Sequence, residues 1–414
     1  MLVLPAIQIL KLVVIFFPQV RGDPGSRRSD TTMAQAVLDD FPTARTVTYL
    51  NSASISLMPR PAIKSMIDFQ QKIAAGGTIG FDEEAETQAL EGARNETSSL
   101  IHAERDEVAV LSSATEGICS VAWSLDLKKG GNVVSTDADF PSVVYPWMRL
   151  GRSVGLEVRL APNHDGVIST NELENLVDEH TSVISISHVE YGTGQRFDLR
   201  WLSELAHSHG AILVVDATQS AGLMPIDVHN DDIDVLVAGG YKGLLGPFGA
   251  AILYVRDDLL QELEPPLVGW RSTPVPYDLD ATRMTFPKDA KKFEYSTMSY
   301  SSAIGLGESV RYLKEHGYSA ATNHVISLTQ SFISMMKDRH HEAIVLTPTA
   351  MSSQASIASF RFGGHDQSAI AAALVKRGVI VSQRFNGIRF SFHIYNSERD
   401  LNNAIETLDQ VLIQ

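Results

Sequence analysis

The sequence predicts an α/β fold, a mainly parallel sheet covered by helices on both faces, followed by a smaller α+β unit. Three observations predict it. Seven short β-rich runs lie between residues 107 and 255, helical patterns of about ten residues separate most of them, and beyond about residue 295 the helical patterns lengthen while strands become few. Strands separated by helices read as βαβ units, whose crossovers place parallel strands side by side. The length of 414 residues allows two or three structural units with a large core.

In chain order, residues 1–32 form an arm of distinct composition. Leu2 to Phe17 is mostly apolar, shorter than the ~20 residues a spanning helix needs, and its basic residues Arg21, Arg27 and Arg28 follow the apolar run instead of preceding it. The arm reads as an extension outside the fold with Met33 as initiator; a signal or anchor in residues 1–20 is the alternative. Residues 33–60 are expected to serve the small domain and the active site, 61–295 the large domain and 296–414 the small one. The strand runs are EVAVLSS (107–113), NVVS (132–135), LEVRL (156–160), SVISIS (182–187), AILVVDA (211–217), DVLVAG (234–239) and AAILYV (250–255). Helical stretches are expected near 83–102, 115–125, 142–152, 170–179 and 199–209, then at 302–316, 320–337 and 367–377, with strands at 355–362, 379–383 and 387–392. Ser397 and Asp400 form a capping box that opens the last helix, whose apolar face carries Leu401, Ala404, Ile405, Leu408, Val411 and Leu412.

Composition narrows the function. With 34 basic against 49 acidic residues the net charge is -15, and the arm's +2 leaves -17 for the rest, the wrong sign for holding nucleic acid by general electrostatics. The one cysteine, Cys119, excludes an internal disulfide and a cysteine zinc site and favours a reducing, cytoplasmic setting. No metal site is expected: the adjacent His340, His341 and Glu342 sit in a polar stretch where no ligand set converges.

An open parallel sheet binds ligands at the carboxyl ends of its strands, so polar residues just after strand runs come first. In SSATEG (112–117) a strand gives way to a helix opening near Thr115 and Glu116, a place that suits a phosphate, although Ser and Thr are ordinary helix caps. The strand AILVVDA delivers Asp216, with Gln219 close behind. The strand DVLVAG ends in Gly-Gly-Tyr-Lys, and Lys242 lies one strand-helix-strand unit after Asp216. A lysine that can be desolvated, facing a carboxylate, is what a pyridoxal phosphate site requires: the amine forms a Schiff base and the carboxylate keeps the pyridine nitrogen protonated. Either residue alone is more often structural, and a lysine after glycine is usually solvated.

Together, YLNSASISLMPRP (49–61), SSATEGI, DADFPSVVYPW (137–147), SHVEYGTGQRFDL (187–199), DATQSAG, GGYKGLLGPFGAAILYV, FEYSTMS (293–299) and GIRFSFHIYNSERD (387–400) resemble, in order, the class V aminotransferases. These are fold-type-I pyridoxal phosphate enzymes that include cysteine desulfurases, isopenicillin N epimerases and kynureninases. The resemblance runs from about Tyr49 to the C-terminus. It implies pyridoxal 5'-phosphate on Lys242, Asp216 at the pyridinium nitrogen, Gln219 at the phenolic oxygen and Phe140 stacked on the ring. It implies Ala114 and Thr115 at the phosphate with Tyr241 beside them, and Thr297 reaching the phosphate of a neighbouring subunit in a homodimer. Arg389 falls where the family binds the substrate α-carboxylate, with Ser54 and Tyr191 on the substrate side. Phe140 as plain core, Tyr241 as a strand-end phenol and Arg389 as an exposed strand residue remain the bland alternatives.

The chain departs from the usual family signature at Tyr241, where His, Gln or Arg commonly precedes the lysine; kynureninases often have Tyr. Cysteine desulfurases present a reactive Cys shortly before the carboxylate-binding Arg, and VKRGVIVSQRFNG (375–387) has none. A persulfide-forming desulfurase is therefore disfavoured. The expectation is an enzyme acting on a small amino acid by transamination or Cβ-elimination of the C-S lyase type, with a kynureninase-like hydrolase or an epimerase as the alternative and a cofactor-binding regulator or scaffold as the rival without turnover.

Overall fold

The computed structural model describes residues 33–413; the expectations for the arm at 1–32 lie outside these. All seven expected strands form and make one sheet: β1 (Val108–Leu111), β2 (Asn132–Thr136), β3 (Glu157–Ala161), β4 (Thr181–Ser187), β5 (Ile212–Asp216), β6 (Val235–Gly239) and β7 (Ala251–Val255). Their order is β1-β7-β6-β5-β4-β2-β3, with β7 antiparallel to both neighbours and the remaining pairs parallel. Most of these strands are buried on both faces, which is why they read as continuous Val, Ile, Leu and Ala runs.

Successive residues of the central strands feed two cores. Ile184, Ile186, Leu213, Val215 and Leu236 pack with Leu199, Leu202 and Ala206. Val183, Val214, Val235 and Val237 pack on the opposite face with Ile118, Val121, Val143, Trp147 and Leu150. Each fully buried Val or Leu stabilises the sandwich by about 1.5–3 kcal/mol, enough to fix the register of every strand and hence the height at which its last residue emerges.

The helices of ten residues or more are α1 (Arg60–Gly76), α2 (Glu83–Ile101), α3 (Ala114–Ser124), α4 (Pro141–Val154), α5 (Leu199–Ser208), α6 (Tyr300–Glu315), α7 (Tyr318–Arg339), α8 (Gln367–Lys376) and α9 (Glu398–Leu412). Two differ from expectation. Helix α1 does not follow from the sequence reading; of its residues only Ala62 is buried, and Ile63 and Ile67 stay exposed. The helix expected at 170–179 stops at Glu174, because Asp178 accepts from the His180 amide at 2.9 Å and its own amide donates to Thr181 Oγ1 at 2.9 Å, a side-chain turn that competes with helix.

A second, four-stranded antiparallel sheet holds β8 (Ile344–Val345), β9 (Ile357–Arg361), β10 (Ser382–Arg384) and β11 (Gly387–Ser391) in the order β8-β9-β11-β10. Phe332 of α7 packs on Phe360, Phe390 and Phe392 of this unit, and Ser397 and Asp400 make the expected capping box. Both sheets belong to the single unit Met33–Gln414. The segment after Thr48 joins them: Thr48 and Tyr49 pair in parallel with Val379 and Ile380, Asn51 bridges Ser391, and the Ser56 amide donates to Tyr241 O at 3.0 Å. Among the described residues no helix is long and apolar enough to cross a membrane.

Candidate active site

The site lies at the carboxyl ends of β1, β4, β5 and β6. After β1, Ser113 caps α3 by accepting from the Glu116 amide at 3.1 Å, so the first turn of α3 opens toward the cavity. Thr115 Oγ1 donates to Ser142 Oγ at 2.8 Å, which joins the start of α3 to the start of α4. Two helix N-termini side by side with two hydroxyls favour an anion through aligned peptide dipoles and unpaired N–H groups.

β5 ends at Asp216, which is buried. Burial pushes its carboxyl up from the ordinary value, while the Thr218 amide, 2.8 Å from Oδ1, and the Lys242 charge oppose that rise. β6 ends at Gly239 and leads through Tyr241 to Lys242, only 8% exposed. Burial pulls the Lys242 amine down to about 8, against the attraction of Asp216 and helped by the charges of Arg389 and Arg384. Its Nζ stands 5.4 Å from the Phe140 ring centre and 5.5 Å from that of Tyr241. The spacing of these two loops depends on glycine: a Cβ on Gly222, at φ +85°, would meet Gly243 O at 2.2 Å, and one on Gly243 would meet Ala221 O at 2.2 Å. Gln219 donates one amide hydrogen of Nε2 to Ala53 O at 3.0 Å and keeps a second for the cavity it lines.

Arg389, from β11, is fully buried with neutral partners only. Nη1 donates to Tyr191 O at 2.6 Å, and Nη2 donates to Ser54 Oγ at 2.6 Å and Asn51 Oδ1 at 3.4 Å. Nε has no partner. Burial first, then the neighbouring Arg384, pulls the guanidinium down to about 9. A buried cation with an open donor and no carboxylate is poised to accept an anion from outside. Tyr191 connects this end to the cavity, with its ring edge-on to Phe140 at 5.5 Å.

Eight of the expected residues, Ala114, Thr115, Phe140, Tyr191, Asp216, Gln219, Tyr241 and Lys242, line one cavity. Arg389 and Ser54 adjoin it through Tyr191. Phe140 is 42% exposed, so it is not plain core, and Arg389 is buried, so it is not a solvated strand residue. Thr297 is not brought in: it is exposed, outside the cavity, and accepts from Trp270 Nε1 at 3.3 Å. Sequence reasoning missed Ser142 and Ser187 in the cavity wall, Asn51 on Arg389, and the buried Asp139. The Asp139 carboxylate takes the Ser187 amide at 2.8 Å and hydroxyl at 2.6 Å, and burial still pushes it up to about 7. Ser142 and Asp139 flank Phe140 in the DADFPS motif and were legible there as polar residues at a helix start.

A desolvated lysine, a buried carboxylate, paired helix N-termini with hydroxyls and an arginine with an unpartnered buried nitrogen fit pyridoxal 5'-phosphate and an amino acid. Fold and site together define a fold-type-I pyridoxal phosphate enzyme. The family model for aminotransferase class-V matches residues 48–403, and this chain belongs to that family. It is 31% identical to the uncharacterized aminotransferase YcbU of Bacillus subtilis (strain 168) over 368 residues, 89% of this chain and 95% of the relative. It is 30% identical to a cysteine desulfurase of Escherichia coli O8 (strain IAI1) over 361 residues, 86% of each. The apo cysteine desulfurase of Thermococcus onnurineus NA1 superposes with a TM-score of 0.83 at 25% identity, over 94% of this chain and all of that one.

Proposed function

We propose that this enzyme works at the α-carbon of a small amino acid, by transamination or by β-elimination of the C-S lyase type. Pyridoxal phosphate, when bound, supplies the electron sink for the bond broken at that carbon. Lys242 Nζ, with its amine pulled to about 8, carries the cofactor and then moves the proton at the α-carbon. Asp216 holds the positive charge of the ring nitrogen, the second Gln219 N–H meets the phenolic oxygen, and Phe140 lies against the ring face. Ala114, Thr115 and the start of α3 hold the phosphate, with Tyr241 beside them. Arg389, steadied by Ser54 and Tyr191 O, takes the α-carboxylate. Thr297, exposed and outside its own cavity, suits the phosphate of a second copy in a homodimer. The domain limits at 60 and 295 and a cytoplasmic location belong to the same reading.

The observation that carries the reading is the pairing of Lys242 with Arg389. Both are buried and neither forms an ion pair among the described residues; burial pulls both pKa values down, the charges of Arg389 and Arg384 add to the fall at Lys242, and that of Arg384 adds to the fall at Arg389. Cys119 favours chemistry without protein-bound sulfur: its thiol is pushed up by burial and by Glu116, and it does not line the cavity. The purified protein is expected to show a visible cofactor band that Lys242→Ala removes. A panel of amino acids scored for keto acid, alanine or sulfide release separates transamination, kynureninase-like hydrolysis and elimination. A protein that never takes up the cofactor refutes the reading, and one that takes it up without any spectral response to amino acids supports the regulator or scaffold instead.

A further inference from the structure

Strands β10 and β11 pair with Ser382 opposite Arg389 and Arg384 opposite Gly387. Directly opposed residues share a face of a sheet, and so do residues two apart on one strand. Arg384 and Arg389 therefore occupy the same face as diagonal neighbours, a relation that places β-carbons about 7–8 Å apart or less. The two-residue turn between them is Phe385-Asn386, with φ of 45° and 55°. That is the left-handed pair a tight hairpin needs, and a phenylalanine adopts it only at a cost in backbone strain.

The strain is held in place by packing at the site. The Phe385 ring lies 5.7 Å from Tyr191, and a Cβ on Gly192 would meet its Cε2 at 2.0 Å. The hairpin is thus seated on the residue that joins the cavity to Arg389. Arg384 itself is partly buried. Among the described residues it makes one hydrogen bond, Nη1 to Gln383 O at 2.6 Å, and no ion pair. Its charge reaches Lys242, Arg389 and Tyr191. Two like charges on one face, without a carboxylate, lower each other's stability until an anion arrives for each.

We propose that Arg384 is a second anion-binding residue of this site, so that the amino acid it takes carries a second anionic group, a carboxylate or sulfinate, on its side chain. The inference rests on the reading of the cavity as an amino-acid site. Arg389 takes the α-carboxylate, and the free Nε and Nη2 donors of Arg384 take the distal group as a fork.

The test is a spectral titration of the holoenzyme with L-aspartate, L-asparagine, L-glutamate, L-glutamine and L-cysteine sulfinate. At least one acidic amino acid is expected to bind about tenfold or more tighter than its neutral isostere, a difference of about 1.4 kcal/mol. In Arg384→Gln that ratio should fall to about one, and in Arg384→Lys, which keeps the charge without the fork, it should lie between. The visible cofactor band of each variant reports that the site is folded. Equal binding of isosteres, or an Arg384→Gln effect equal on both members of a pair, overturns the proposal while leaving the amino-acid site intact; the latter result means that both arginines hold one carboxylate. If no amino acid perturbs the spectrum, the reading of the site fails and the proposal with it.

Discussion

Two arginines in this molecule are each 1% exposed, and their surroundings are opposite. Arg94 on α2 meets Glu294 at 2.8 Å and Glu91 at 3.4 Å and donates to Val108 O, while Glu294 accepts the Val110 amide at 2.8 Å. This cluster covers β1, the edge of the large sheet, and it raises the Arg94 pKa. Arg389 has a hydroxyl, a carbonyl and an amide oxygen, and its pKa falls to about 9. The difference teaches how to tell scaffold from site without a bound ligand. A buried charge neutralised from within holds the fold, whereas one left uncompensated has been kept for a counter-charge that comes and goes.

The contrast can be broken most forcefully at Arg94. Arg94→Met should destabilise by about 3–5 kcal/mol in denaturant unfolding, because it strands Glu294 in the interior while Glu91 keeps Lys291 at 3.4 Å and Arg105 at 3.5 Å, and the folded fraction should bind amino acids as before. Arg389→Gln should do the reverse. Amino-acid dissociation constants should rise by about 30- to 1,000-fold, roughly 2–4 kcal/mol, with unfolding free energy changed by less than about 1 kcal/mol. A large loss of stability in Arg389→Gln with normal binding would erase the distinction.

Lys242 sharpens it by pH. The neutral amine is the nucleophile and its value lies at about 8, so the rate of cofactor capture by apoprotein should be level above pH 8 and fall about tenfold per unit below it. Stopped-flow absorbance reads this, and a rate still climbing from pH 9 to 10.5 would return Lys242 to an ordinary solvated lysine. The smallest effect belongs to Ser54→Ala. Removing one neutral acceptor from Arg389 should change amino-acid affinity by about 1 kcal/mol, a few-fold in dissociation constant.

The strand skeleton was legible because residues buried on both faces must be apolar without interruption, and Asp216 and Lys242 stood out as the polar residues that end such runs. The residues proposed for the phosphate were legible for a related reason, since a helix that starts directly after a strand needs a cap. Helix α1 was not, because Ile63 and Ile67 do not face the core of this chain and leave no apolar stripe buried. Arg384 was hidden more deeply. Its place depends on a one-residue register between β10 and β11 and on a left-handed Phe385, where sequence rules favour glycine or asparagine. Thr297 was visible as part of a motif, yet nothing in its own chain gathers it to the cavity.

The segment from Asn51 to Ser56 has one more consequence, for the order in which the molecule is completed. Its partners lie far downstream: Gln219 is 166 residues from Ala53, Arg389 is 335 from Ser54, and Phe392 is 340 from Ser52. A growing chain has made every strand of the large sheet by Val255, yet the corner around Arg389 closes only when β11 emerges and Arg389 reaches back to Asn51 and Ser54. A product truncated before residue 387 therefore holds the lysine and the aspartate and lacks the arginine proposed for the substrate carboxylate.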